Sequence, residues 1–158
     1  MKIHKFFKIV VLMMVSFVAV SVSTISAHAS SWHKGTPKEL RGTYQMKRTS
    51  DVQGFGAVFK IKKNSFVLSL SDWPLMINTK LKYKKLSAHT YRVVGRTKHN
   101  GYILAHKYES VWYRQGKKFM YAPYSDYKKD KVKAFKYLRK NPPIKTKHIK
   151  NLGPIIHM

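Results

Sequence analysis

The sequence predicts a mainly β protein: a small antiparallel meander or barrel of six to eight short strands, opened by a short helical turn and followed by one amphipathic helix. Three observations carry that expectation. Apolar and polar residues alternate over several runs, as they do on strands with one face buried. Turn-forming pairs, Lys63-Asn64, Asn100-Gly101 and Gln115-Gly116, separate those runs. After Ser125 the period lengthens, and Val132, Phe135 and Leu138 recur at helical spacing.

Residues 1–29 have the composition of a secretory signal peptide. Lys2, Lys5 and Lys8 form a basic head without an acid, residues 9–22 are apolar, and Ala27-His28-Ala29 offers small residues at both positions a signal peptidase reads. The apolar run is shorter than the ~20 residues a spanning helix needs. The expectation is cleavage after Ala29 and a secreted chain starting at Ser30.

Thr36-Pro37-Lys38-Glu39 reads as a capping box: Thr36 at the N-cap, Pro37 at the first helical position, Glu39 reaching back to the Thr36 amide. Gly42 stops that turn, and a strand is expected over 43–49. After a glycine-containing loop, a turn at Lys63-Asn64 opposes Ile61 to Phe66, Phe59 to Leu68 and Ala57 to Leu70 on one face. Val58, Lys60, Lys62, Ser65, Val67 and Ser69 take the other face. Asp72-Trp73-Pro74 breaks the strand, and residues 80–84 alternate again with Leu81 and Tyr83 inward. A two-residue turn at Asn100-Gly101 would oppose Thr97 to Leu104, Gly95 to His106 and Val93 to Tyr108, with Arg92 facing Glu109 as an ion pair. The same parity continues to Trp112, which a turn at Gln115-Gly116 brings to Phe119. A single helix over about 126–140 follows, capped by Ser125 or Asp126 and stopped by Asn141-Pro142-Pro143. One domain over 30–141 is therefore expected, with 142–158 a basic, loosely held tail.

Thirty-two Lys and Arg against six acids give a net charge of +26, and +23 once the three lysines of the leader are removed. Such an excess attracts polyanions: phosphate-bearing wall polymer, anionic lipid, or nucleic acid without sequence preference. Cysteine is absent, which excludes disulfides and thiolate metal sites.

The few acids argue against catalysis. Glu39 is assigned to the capping box and Glu109 to Arg92, Asp72 opens a turn, Asp51 lies in a loop, and Asp126 and Asp130 lie near the helix start. No carboxylate pair, nucleophile elbow or phosphate-binding loop is present, so no catalytic residue and no cofactor is expected. His99 and His106 share a face but lie about 13 Å apart along it, too far for one ion, so no metal is expected either. The rings of Tyr91, Tyr102, Tyr108, Trp112, Phe119 and Tyr121 fall on the inner face and read as core, with Tyr113 on the other face.

The opening stretch Trp32-His33-Lys34-Gly35-Thr36-Pro37-Lys38-Glu39-Leu40-Arg41-Gly42-Thr43-Tyr44 resembles the start of small secreted proteins of lactic acid bacteria, and "KKLSAHTYRVV" resembles their recurring strand-turn-strand segment. That resemblance implies location more than activity. The order of entry helix, Gly42-Thr43-Tyr44, β-meander and closing helix also resembles lipocalins, with Tyr44 where that family has tryptophan. It implies a lipocalin-like barrel.

Two sets of candidate residues follow. A polyanion-binding surface would use Lys60, Lys62, Lys80, Lys82 and Arg96 on the strands, and Lys128, Lys129, Lys133, Lys136, Arg139 and Lys140 on the helix. It would retain a non-catalytic protein at the cell envelope, on anionic wall polymer or lipid. A carrier of a small apolar ligand would line its interior with Tyr91, Tyr102, Leu104, His106 and Trp112. A cationic effector acting on membranes is the third class compatible with the charge.

Overall fold

The alternating runs become strands that close on themselves. The computed structural model describes residues 31–50 and 54–150; the predicted leader, Asp51 and the last eight residues lie outside them. Among the described residues there are nine strands: β1 (His33–Lys34), β2 (Gly42–Gln45), β3 (Val58–Ile61), β4 (Phe66–Ser69), β5 (Met76–Ser87), β6 (Thr90–Thr97), β7 (His106–Gln115), β8 (Lys118–Pro123) and β9 (Ile144–Thr146). From β2 to β9 each strand pairs antiparallel with the next, and β9 pairs back onto β2. The result is a closed eight-stranded up-and-down barrel. β1 is an extra strand on β5, paired at Lys82 and Tyr83, beyond the part of β5 that β4 covers.

A barrel of eight strands encloses just enough room for its own side chains. Here aromatic rings fill it. Tyr44, Phe59, Phe66, Tyr91, Tyr108, Trp112 and Phe119 are buried together with Leu40, Ile61, Leu68, Leu81 and Val93. Phe66 sits at the centre, with ring centroids 5.0 Å from Trp112, 5.9 Å from Tyr108 and 6.2 Å from Phe59. On the inner face of β6, Gly95 lets β5 come close: a Cβ there would lie 2.7 Å from Thr79 O. That approach accompanies a bulge in β5, where the register shifts between Thr79 and Lys82.

Several expectations need correction. The β3–β4 register is as predicted, with Phe59 opposite Leu68 and Ile61 opposite Phe66. The β6–β7 register is offset by two: Thr97 opposes His106, Gly95 opposes Tyr108 and Val93 opposes Ser110. The tight turn forms one residue later, around Gly101 and Tyr102, where Asn100 and Ile103 exchange backbone hydrogen bonds and Gly101 has φ 57°. Trp112 likewise opposes Tyr121 rather than Phe119, although the Trp112 and Phe119 rings still meet at 5.7 Å. Within the paired strands inside and outside survive both offsets, because a slip of two residues preserves parity.

The predicted single helix is broken into α1 (Tyr124–Lys129), a 3-10 turn (Lys133–Phe135) and α2 (Lys136–Lys140). Asp130 makes the break: its carboxylate accepts the Val132 and Lys133 amides at 2.9 Å each. The segment covers the outer face of β7 and β8, where Val111, Met120, Ala122 and Phe135 form a second buried cluster. Phe135 does the docking and Val132 is 62 % exposed. Residues 142–158 do not all form a loose tail either. Asn141 is buried and its side chain bonds Lys47 N and O, Pro143 O accepts the Phe119 amide, and β9 then closes the ring. The barrel thus extends past residue 141.

Phe66→Ala is expected to cost about 3–5 kcal/mol, because the space among five rings cannot collapse. Urea unfolding followed by the near-ultraviolet signal of Trp112 would measure it.

Candidate functional site

The chemistry-bearing residues fall in three places: a plugged barrel end, a basic outer face and the helical segment. The plug is the 3-10 turn Lys38–Leu40, which drives Leu40 into the barrel mouth. It is not fastened by the predicted capping box. Thr36 is fully buried, its hydroxyl donates to Lys62 O at 2.8 Å, and its amide donates to Lys63 O. Glu39 points toward the barrel instead. Its Oε1 accepts the Tyr91 phenol at 2.8 Å and lies 3.2 Å from His89 Nδ1. Arg114 Nη1 donates to Glu39 O at 2.6 Å, and the Tyr44 phenol donates to Leu40 O at 2.9 Å.

These contacts shift the titration of both partners. Burial works against ionisation of Glu39, but the hydrogen bonds from Tyr91 and His89 and the nearby charges outweigh it and hold the carboxyl below its ordinary 4.5. Burial, and then the bond to that carboxylate, push the Tyr91 phenol upward. The Glu39 carboxylate and the Glu39 and Leu40 carbonyls all bond the barrel, so the geometry accounts for Glu39 as a fastening.

The second place is the outward face of β1, β5, β6 and β7. Antiparallel partners share a face, and three directly opposed pairs here are both cationic: Lys34 with Lys82, Lys84 with Arg92, and Arg96 with Lys107. Glu109 is the one acid in these four strands. It takes the Arg92 guanidinium, with Nε 2.7 Å from Oε1, and lies 4.0 Å from Lys107 Nζ. The ion pair predicted for Arg92 therefore forms, but diagonally. Lys84 and Arg92 both lie over the Trp32 ring, and Arg92 also stacks on Tyr124 at 4.0 Å.

Each predicted polyanion residue is exposed, but they do not form one patch. Lys82 and Arg96 belong to the face just described, and Lys80 sits at the β5 bulge with φ 52°. Lys60 lies on β3 and Lys62 in the turn after it, with the outward Val67 and Ser69 of β4 between them and β5. Lys128, Lys129, Lys133, Lys136, Arg139 and Lys140 are all exposed on the helical segment. A groove of about 580 Å³ beside β8 includes Lys129 and Lys133, but Asp126 and Asp130 line it too, so its sign is mixed. Sequence reasoning missed a more uniform groove of about 310 Å³ between β2 and β9, lined by Lys47, Arg48, Lys145 and Lys150 with Met46 and Ile144. Its signal was available only once β9 was known to pair with β2.

Of the residues predicted to line an interior, Tyr91 and Trp112 are buried among other rings. Tyr102 and Leu104 are 83 % and 71 % exposed, and His106 is exposed at the start of β7. The two-residue offset moved Tyr102 and Leu104 into the β6–β7 connection and left His106 as the first residue of β7. His106 nevertheless bonds Thr97 Oγ1 and Leu104 O. Tyr113, placed outward by parity, packs against Phe135 with ring centroids 6.0 Å apart.

Among the described residues no three His or carboxylate side chains gather as a metal site would require, and no helix is long and apolar enough to cross a membrane. Comparison of the chain with protein-family models, with curated proteins and with solved structures returned no match.

Since folded Glu39 titrates below its unfolded value, its contribution is full above pH about 4.5 and is lost as pH falls through the folded value. Glu39→Gln is expected to be less stable than wild type by about 1–2 kcal/mol at neutral pH, with the gap closing on acidification. Urea midpoints of both proteins along a pH series would show it.

Proposed function

We propose that this protein is a non-catalytic polyanion binder of the cell envelope, exported by its leader and held on phosphate-bearing wall polymer or anionic lipid headgroups. The three opposed cationic pairs on β1, β5, β6 and β7 carry the reading. Like charges placed directly across a ladder each cost about 0.2–1 kcal/mol. One carboxylate among them offsets only part of that cost. A row of phosphates laid across the strands would remove it, so the face is better satisfied with an anion than without one. The net charge of +23 that remains without the leader supplies the attraction at longer range. The likeness of residues 32–44 to secreted proteins of lactic acid bacteria supports the same location.

Co-sedimentation of residues 30–158 with cell walls, before and after extraction of their phosphate polymer and across a salt series, tests this reading. Binding is expected to fall steeply with salt and to disappear on extraction. Retention on extracted walls, or indifference to salt, would sink it. Anionic vesicles in parallel separate headgroup from polymer phosphate.

Two further outcomes are expected. Inorganic polyphosphate should raise the thermal midpoint by several degrees, read by calorimetry. Replacing Arg96 and Lys107 together by Gln should stabilise the free protein while reducing the slope of log affinity against log salt by about 0.7 per lost contact.

A further inference from the structure

The barrel end opposite the plug carries a different kind of surface. In an up-and-down barrel successive connections alternate ends. The turns 62–65, 88–89 and 116–117 therefore lie with the plug, and connections 70–75 and 98–105 lie at the far end. These two connections are fastened together. Asn100 Nδ2 donates to Leu75 O at 2.9 Å, the Lys98 amide donates to Ile77 O at 2.8 Å, and the Trp73 and Tyr102 rings stand 6.5 Å apart.

What they present is apolar. Tyr102 and Leu104 are the exposed residues already noted, Trp73 is 54 % and Leu75 43 % exposed, and Leu70 lies at the root of the same connection. Within the β6–β7 connection Ile103 is buried while Tyr102 and Leu104 on either side of it are exposed. Scattered exposed leucines are ordinary, but a tryptophan, a tyrosine and leucines gathered on two tied loops form an interaction surface.

The surroundings select the occupant. Arg96 and Lys107 oppose each other at the root of the β6–β7 connection, and Lys98 follows in it. Asp72 is the one acid of the two connections. A second copy of the chain would bring two such cationic rims together, and they repel. Trp and Tyr, with an apolar body and a polar edge, are the side chains that settle at a bilayer's headgroup level, with Leu below them and Lys or Arg on phosphate.

We propose that this tip docks the barrel, end-on, into the interfacial zone of an anionic bilayer. Trp73, Leu75, Tyr102 and Leu104 enter at the headgroup–acyl boundary, and Arg96, Lys98 and Lys107 meet lipid phosphates. The proposal deepens the polyanion reading by naming lipid as the phosphate source at this end, and it rests on that reading for its electrostatic part alone. The apolar part is not used by a polymer.

Residues 30–158, which include every described residue, would be titrated with vesicles of equal parts phosphatidylglycerol and phosphatidylcholine, with phosphatidylcholine alone, and with inorganic polyphosphate. Tryptophan emission and vesicle co-flotation are the readouts. Mixed vesicles are expected to shift the emission to the blue, and Trp73→Phe is expected to abolish the shift while leaving most of the flotation. The double variant Trp73→Ser with Leu104→Ser alters only exposed positions. It should bind mixed vesicles about tenfold or more weakly and polyphosphate with unchanged affinity. Asp72→Asn should strengthen vesicle binding.

Equal vesicle binding by the double variant and wild type would overturn the proposal, as would an equal loss toward polyphosphate. Wild-type binding to polyphosphate without binding to vesicles would overturn lipid docking and leave the polyanion reading standing. Binding to neither would overturn both. A lipid-free dimer abolished by the double variant would instead assign the tip to self-association.

Discussion

The structure depends on how one end of the barrel is shut. A closed ring of eight strands leaves no unpaired edge, but its two mouths expose the rings inside to water. At one mouth the chain folds its own N-terminal segment across the opening, with Leu40 as the lid and Glu39 as the latch. The latch engages the barrel twice: the carboxylate takes Tyr91 from β6, and the carbonyl takes Arg114 from β7. Tyr44 from β2 holds the neighbouring carbonyl. A segment with three buried side chains, Thr36, Pro37 and Leu40, and no helix of usable length is thus held across the mouth. The aromatic packing behind it can be dense because water is kept out.

The contrast between the two faces of the sheet follows from that enclosure. Inward positions hold rings and aliphatic side chains, and outward positions of β5, β6 and β7 hold most of the strand cations, except where the helical segment lies over β7 and β8. There Val111, Met120 and Ala122 point outward and are still buried. The basic face is what remains uncovered on β1, β5, β6 and β7. Its opposed cations persist because burial of Trp112, Phe66 and their neighbours outweighs a repulsion of about 1 kcal/mol or less per pair.

Parity was the part of this architecture legible in the residues. Alternation assigned the inside correctly for Phe59, Ile61, Phe66, Leu68, Leu81, Tyr91, Val93, Tyr108, Trp112 and Phe119. It could not choose between registers that differ by two residues, since both bury the same side chains along the strands that stay paired. Turn geometry makes that choice, and it depended on whether Gly101 stood first or second in the turn. For Tyr102, Leu104 and His106 the difference decided whether they lay inside or outside. The closing strand was illegible for another reason. Ile144-Lys145-Thr146 has no pattern of its own and becomes a strand only because β2 and β8 both present free edges to it. Val58 shows the same limit: its outward position was read correctly, but its burial depends on neighbours that local sequence does not name. Of the candidate site, the residue types were legible and their adjacency was not. Lys34 meets Lys82 across strands far apart in the chain, and Arg96 meets Lys107 only in the register offset by two.

That closing strand has a consequence for the order in which the molecule can form. The seven strands from β2 to β8 are all neighbours in sequence, so hairpins can assemble progressively as the chain emerges. The ring itself can join only after the segment around Ile144 has arrived, more than a hundred residues after Gly42, its partner strand's first residue. Until then β2 and β8 stand as open edges facing one another across a seam three residues wide. A chain cut or stalled just before that seam would keep nearly all its rings and cations yet present two sticky borders to its neighbours. The least patterned residues of the described chain therefore separate a closed ring from an open sheet prone to aggregate.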